Sequence, residues 1–233
     1  MATFYSDKAF APIDKDLRLE RIGGGFETEV YSTDDRRFLV KLKGDRGGDL
    51  PHTLAMAKNM RDIAEHFATC LGPEHTIQND YLLARDSQGK VQVLVLQPFI
   101  QHAHPLAKVD PQTLQPAERQ RLARQLYEIV DRTVAFYHER GLMPDLYGLS
   151  SESKAQRHRL ANPLLFPWHL WNFLIGRNLL SSWNLLRIDQ PGHRVVLVDY
   201  DLVRWPAPIR RLYFAVRRIL CWRDTFLIQL RLG

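Results

Sequence analysis

Asn184-Leu185-Leu186-Arg187-Ile188-Asp189-Gln190-Pro191-Gly192-His193-Arg194-Val195-Val196-Leu197-Val198-Asp199-Tyr200-Asp201 is the stretch on which the fold turns. Two short runs rich in leucine and β-branched residues flank the turn signal Asp189-Gln190-Pro191-Gly192, which predicts a β-hairpin. Asn184 enters the first strand and Asp199 leaves the second. Pairing the strands therefore brings an amide oxygen and a carboxylate close together. Hard oxygen ligands of that kind suit Mg²⁺, which binds through one or two protein groups plus substrate phosphates.

Upstream of the hairpin, Asp110 to Pro116 reads as a helix start. A long amphipathic helix follows, with Leu122, Leu126, Ile129, Val130, Thr133, Val134 and Tyr137 on one face. Gly141 suits its left-handed C-cap. Met143-Pro144-Asp145 comes next, and an insertion over residues 149–182 separates Asp145 from Asn184. The insertion carries a basic stretch, Arg157-His158-Arg159, and an aromatic run from Phe166 to Phe173 that includes Asn172. Downstream of Asp201, Arg204 to Pro208 is a turn, followed by two helical stretches rich in arginine.

The first half of the chain reads as strand, glycine turn, strand, turn, strand. Leu17 to Ile22 leads into Gly23-Gly24-Gly25, Val30-Tyr31-Ser32 follows, and Phe38 to Lys43 is the third strand. Glycines there let main-chain N–H groups approach a phosphate with no Cβ in the way. Alternation puts Lys41 and Lys43 on one strand face and Val40 and Leu42 on the other. Gly44 to Gly48 reads as a polar connection. A helical pattern runs from about Pro51 to Leu71, ended by Gly72-Pro73. Tyr81 to Arg85 and Val91 to Leu96 form a further hairpin, giving about five antiparallel strands and one helix. His102 and His104 share a loop but lack a third metal ligand nearby.

Taken in order, these features resemble the protein-kinase-like superfamily, in a compact bacterial-type form close to the small-molecule phosphotransferases. The resemblance rests on Gly23, Gly25 and Val30 in a Gly-x-Gly-x-x-Gly-x-Val pattern, Asp145 in the loop after the long helix, and Val198-Asp199-Tyr200-Asp201 at the Asp-Phe-Gly position. It implies an α+β, two-lobed fold. Residues 1–98 would form an N-lobe of antiparallel sheet plus one helix, and residues 99–233 a mainly helical C-lobe with the metal-site hairpin. It implies ATP and Mg²⁺ as cofactors. Gly23, Gly24, Gly25, Val30 and Lys41 would bind the nucleotide, with Gln97 and Phe99 at the hinge where backbone groups meet the adenine. Lys41 would hold phosphates, with Lys43 as the alternative if the register differs. Glu65, or else Asp62, would orient that lysine. Asn184 and Asp199 would hold the metal, with Asn172 as rival to Asn184. Asp145 would accept or orient the acceptor hydroxyl.

The chain departs from the pattern in several places. Thr28 stands at the third glycine position, no histidine precedes Asp145, Asp201 replaces a glycine, and the insertion is long. The helical peptide-docking region of protein kinases is not recognisable after Asp201. The missing docking region points to a small-molecule, sugar or lipid acceptor for a phosphotransferase. The other departures favour the alternative, a pseudokinase that serves as a nucleotide-binding or regulatory module.

Composition narrows the remaining choices. The 233 residues are 45% hydrophobic and 25% charged, an ordinary globular mixture. The net charge of +6 favours anionic partners. An anionic membrane surface or an acidic partner could meet the basic, aromatic C-terminus, and nucleic acid is the least favoured of the three. Cys70 and Cys221 show neither metal spacing nor a disulfide framework. With no signal-peptide pattern at Met1 to Lys8 and no bilayer-length apolar run, the expected location is cytoplasmic, with peripheral membrane contact as an extension.

Overall fold

The structure is a computed structural model that describes residues 4–5, 19–24, 28–85, 89–146, 148, 167, 178–189, 192–202 and 207–230. Gly25, Asn172, Gln190, Pro191 and all of the insertion except Pro167 and residues 178–182 lie outside them, as does the side chain of Lys43. The protein is α+β and divides into two units. The first comprises Met1–His66 and Ile77–Ile100, and the second Phe67–Thr76 and Gln101–Gly233.

The first unit is built on strands β1 (Phe4–Tyr5), β2 (Leu19–Gly24), β3 (Thr28–Thr33), β4 (Phe38–Gly48), β5 (Asp80–Arg85) and β6 (Val91–Pro98). They form one six-stranded antiparallel sheet in the order β1-β5-β6-β4-β3-β2. The two-residue edge strand β1 carries no sequence signal. The connection expected over Gly44 to Gly48 is instead strand: β4 runs on to Gly48, with an irregularity between Leu42 and Gly47. The strand can stay in the sheet there because a bulge lets one strand carry unpaired residues without ending the ladder. At the β3–β4 turn, the Thr33 hydroxyl and then the main-chain N–H and guanidinium of Arg37 donate to Asp35, holding its carboxyl at about 2.

Helix α1 (Leu50–Leu71) begins at Asp49, whose side chain accepts from His52 N at 2.9 Å. This N-cap satisfies one of the free amides of the first turn. Its buried residues Thr53, Ala57, Met60, Ala64, Phe67 and Leu71 recur at helical spacing. Ala57 and Met60 pack on Leu83, Val91, Val93 and Val95 of the sheet. Gly72, at φ +78°, ends the helix in the left-handed conformation that glycine adopts without a Cβ penalty.

In the second unit, helix α2 (Pro116–Arg140) is closed by a capping box at Gln115 and Glu118 and by left-handed Gly141. The expected hairpin is present as β8 (Leu185–Ile188) and β9 (Arg194–Leu197). A third strand, β7 (Ala103–Pro105), pairs with β8, so the segment read as a loop around His102 and His104 completes a small sheet in the order β7-β8-β9. The C-terminal region holds one helix, α3 (Ala207–Gln229), where two stretches were expected. No glycine or proline follows Pro208 within it, so nothing in the backbone chemistry interrupts the helix. Its buried Leu220, Cys221 and Ile228 lie on one face, and Cys221 Sγ reaches Leu126 O of α2 at 3.9 Å. No helix among the described residues is long and apolar enough to cross a membrane.

Candidate functional site

Strand register places the candidate residues of the first unit. Gly23 opposes Val30, Val30 opposes Lys41, Lys41 opposes Val95, and Val95 opposes Tyr81. Directly opposed residues share a sheet face, so Lys41 stands in the row behind the glycines, on the face that α1 covers. It is 8% exposed. Gly24 is the last residue of β2, opposite Glu29. Glu65 is adjacent in sequence to the buried stripe of α1 rather than within it. Its side chain is 71% exposed, 3.8 Å from Arg61 one turn earlier. Asp62 is also exposed and lies 3.9 Å from Arg61. Gln97 is buried, and its amide donates to Asn79 Oδ1 at 2.5 Å. Phe99 N donates to Arg37 O at 2.8 Å just past the end of β6.

The second unit brings Asp145, Asn184 and the segment Asp199 to Asp201 together. Asn184 Nδ2 donates to Asp145 O at 2.7 Å, across 39 residues of sequence. Asp145 N donates to Asp201 O at 2.9 Å, and Pro144 bridges to Leu202 in antiparallel fashion. Val198 N donates to Asn184 O at 2.9 Å, closing the open end of the β8–β9 hairpin. The aspartate loop is thus pinned on one side to the asparagine and on the other to the acidic segment. The three candidate side chains are half-buried. Asp145 Oδ1 accepts from Gly148 N, and Asp199 Oδ1 from Asp201 N, each at 3.3 Å. Tyr200, between the two carboxylates, is buried and stacks on Phe67 at 6.5 Å. Phe67 in turn meets Phe136 edge-on. This aromatic anchor fixes where the acidic segment leaves the strand.

Two residues essential to this geometry carry no motif. Gly148 has φ +62°, and a Cβ there would lie 2.3 Å from Asn184 Oδ1. Only glycine lets the loop after Asp145 approach the Asn184 amide so closely. The sequence Tyr147-Gly148 offers a turn signal for this position, but not its neighbour. Ser182 is fully buried, donates to Leu146 O at 2.5 Å and accepts from Leu185 N at 2.9 Å. It ties the start of the hairpin to the aspartate loop.

Helix α2 supports the hairpin from its charged side. Arg187 donates to Glu118 at 2.9 Å. Gln125 accepts from Val195 N at 2.6 Å and donates to His193 O at 2.8 Å. These bonds occupy main-chain groups that would otherwise be open at the edge of the small sheet. The Glu118 carboxyl is held below the usual range, first by the Gln115 main-chain N–H and then by Arg187 and His193.

The donor set fits a hard divalent cation. Committing Asn184 Nδ2 to a carbonyl fixes the amide so that Oδ1 is its remaining acceptor, and Asp199 supplies a carboxylate. No protein-family model matches the chain, and no curated protein matches it either.

Proposed function

We propose that the protein is an ATP- and Mg²⁺-dependent phosphotransferase of kinase-like, two-lobed fold. The observation that carries this reading is the hydrogen bond from Asn184 Nδ2 to Asp145 O. It joins a candidate metal ligand to the candidate acceptor-orienting residue across a long insertion. In this reading Asn184 and Asp199 hold Mg²⁺ through oxygen atoms, and the ion neutralises charge on the transferring phosphates. Asp145 orients the acceptor hydroxyl and takes its proton. Its main chain is fixed on both sides, so the carboxyl is positioned before substrate arrives, and positioning is the larger part of such catalysis. Lys41 and the glycines Gly23 to Gly25 with Val30 serve the phosphates, and Glu65 orients Lys41. Gln97 and Phe99 lie on the segment assigned to adenine recognition.

The acceptor is proposed to be a small molecule, sugar or lipid. Residues 203–206 alone separate Leu202 from α3, and one face of α3 packs against α2. That leaves little chain between the acidic segment and the core for docking a peptide.

Calorimetric titration of ATP, with and without Mg²⁺, tests the nucleotide site. Mg²⁺-dependent binding that disappears in Asp199→Ala is the expected result. An absence of binding by folded wild-type protein rules the proposal out. An acceptor screen comparing wild type with Asp145→Asn then separates the two function classes. The substitution is expected to lower transfer by about 10²- to 10⁴-fold while leaving ATP affinity in place. ATP binding with no transfer to any acceptor class assigns the chain to the nucleotide-binding module instead.

A further inference from the structure

The turn after α1 carries a second polar cluster that the phosphotransferase reading does not use. His75 is 2% exposed, and its Nδ1 lies 2.8 Å from Val195 O. A carbonyl can only accept, so Nδ1 bears the proton and Nε2 of the neutral ring presents a bare lone pair. That Nε2 is buried and makes no hydrogen bond. It points at Glu128 Oε2 from 3.5 Å, and a carboxylate oxygen is also an acceptor. Glu128 is 41% exposed, so the buried His75 lone pair faces a carboxylate at the rim of the site, and two lone pairs facing each other call for a cation between them.

A proton is one candidate and a metal ion the other, and the distance discriminates between them. A charged imidazole would close on the carboxylate to about 2.7–2.9 Å. Two ligands each about 2.0–2.2 Å from a tetrahedral ion stand about 3.4 Å apart. The observed separation matches the second. A third ligand is at hand: oxygen atoms of Glu74 and Glu128 and a ring nitrogen of His75 lie within 4.8 Å of one another. Arg132 donates to Oε1 of both glutamates, orienting them and leaving Glu128 Oε2 to face the histidine. Glu74 folds back over Gly72, where a Cβ would lie 2.6 Å from its carboxylate.

We infer that Glu74, His75 and Glu128 form a binding site for a first-row divalent ion of the zinc type. One imidazole with two carboxylates is a borderline donor set that suits Zn²⁺. Three protein ligands leave the fourth position for water. The site would brace the turn after α1 against α2 and β9, since His75 O also accepts from Leu197 N at 2.9 Å. Strand β9 leads directly to Asp199.

The test is calorimetric titration of metal-free full-length protein with Zn²⁺, without nucleotide, with bound Co²⁺ read by its visible absorption. One saturable ion per chain and a zinc-dependent rise in thermal midpoint are expected. His75→Gln and Glu128→Gln are each expected to weaken binding roughly tenfold or more. Circular dichroism checks that each variant is folded, and two separate substitutions keep the test decisive if one fails to fold. Asp199→Ala should bind Zn²⁺ as wild type does, which keeps this result separate from the fate of the phosphotransferase reading. Absence of Zn²⁺ binding, equal affinity in wild type and the two glutamine variants, or loss of binding in Asp199→Ala would each overturn the assignment.

Discussion

The two units hold their candidate polar groups in place by opposite means. In the first, Lys41 is positioned by the strand ladder. Its cross-strand neighbours Val30 and Val95 are fixed by the same register that fixes the whole sheet. In the second, Asp145, Asn184 and Asp199 come from segments far apart in sequence, and no ladder aligns the first two. Their arrangement depends on single hydrogen bonds, on a glycine without a Cβ, and on a buried serine. A ladder-held group keeps its place when one neighbour changes, because the rest of the register is intact. A group held by single contacts moves when one contact is lost.

Breaking the second arrangement should therefore be the easier task. Gly148→Ala is expected to have the largest effect on stability. A left-handed backbone costs a non-glycine residue about 1–2 kcal/mol, and the added methyl would overlap Asn184 Oδ1. Urea denaturation measures the loss, and Mg²⁺-dependent ATP binding should fall with it. Combining Gly148→Ala with Asn184→Ala should cost less than the sum of the single changes, because truncating the asparagine removes the overlap. Strict additivity would show that the two residues do not share this contact.

Lys41→Met probes the ladder-held unit. Lys41 is buried with Val30 and Val95 as its cross-strand neighbours, and methionine keeps most of its length while removing its charge. The register should keep the sheet folded by circular dichroism, while ATP affinity falls roughly tenfold, about 1.4 kcal/mol. Loss of the folded sheet as well would mean that Lys41 is part of what holds it, and the contrast between the units would weaken.

A smaller effect tests the brace between α2 and the hairpin. Glu118 has its folded pKa lowered, so its contribution to stability is complete above the ordinary glutamate value. That contribution is lost as pH falls through the depressed value. In stability measured from about pH 6 down to pH 2, Glu118→Gln should flatten part of the acid limb and leave the neutral region less affected. An unchanged acid limb would place the pH sensitivity on other carboxylates.

How much of this was legible before folding differs between the units for the same reason. Short-range signals marked the hairpin and the helices α1 and α2: Gly141 ends α2, Gly72 ends α1, and alternation around Lys41 gave its strand face. Gly23 and Gly24, read as the start of a turn, are instead the last residues of β2. Periodicity could not show that Gly44 to Gly48 stays in the sheet, because a bulge has no fixed composition. Nor could it reveal β7, whose three residues Ala103, His104 and Pro105 have no strand pattern and pair only because β8 is alongside. The roles of Gly148, Ser182 and His75 were equally hidden. Each looks like ordinary loop chemistry until its partner arrives from elsewhere in the chain.

The sequence by itself determined α1 and α2, most strands and the kinds of oxygen donor available, because these depend on neighbours within a turn or a strand. Tertiary structure alone decided which donors meet. Asn184 reaches Asp145, and the His75 lone pair reaches Glu128, only after loops close and buried polar groups must find partners. That requirement acts between residues distant in sequence, where local pattern carries no information.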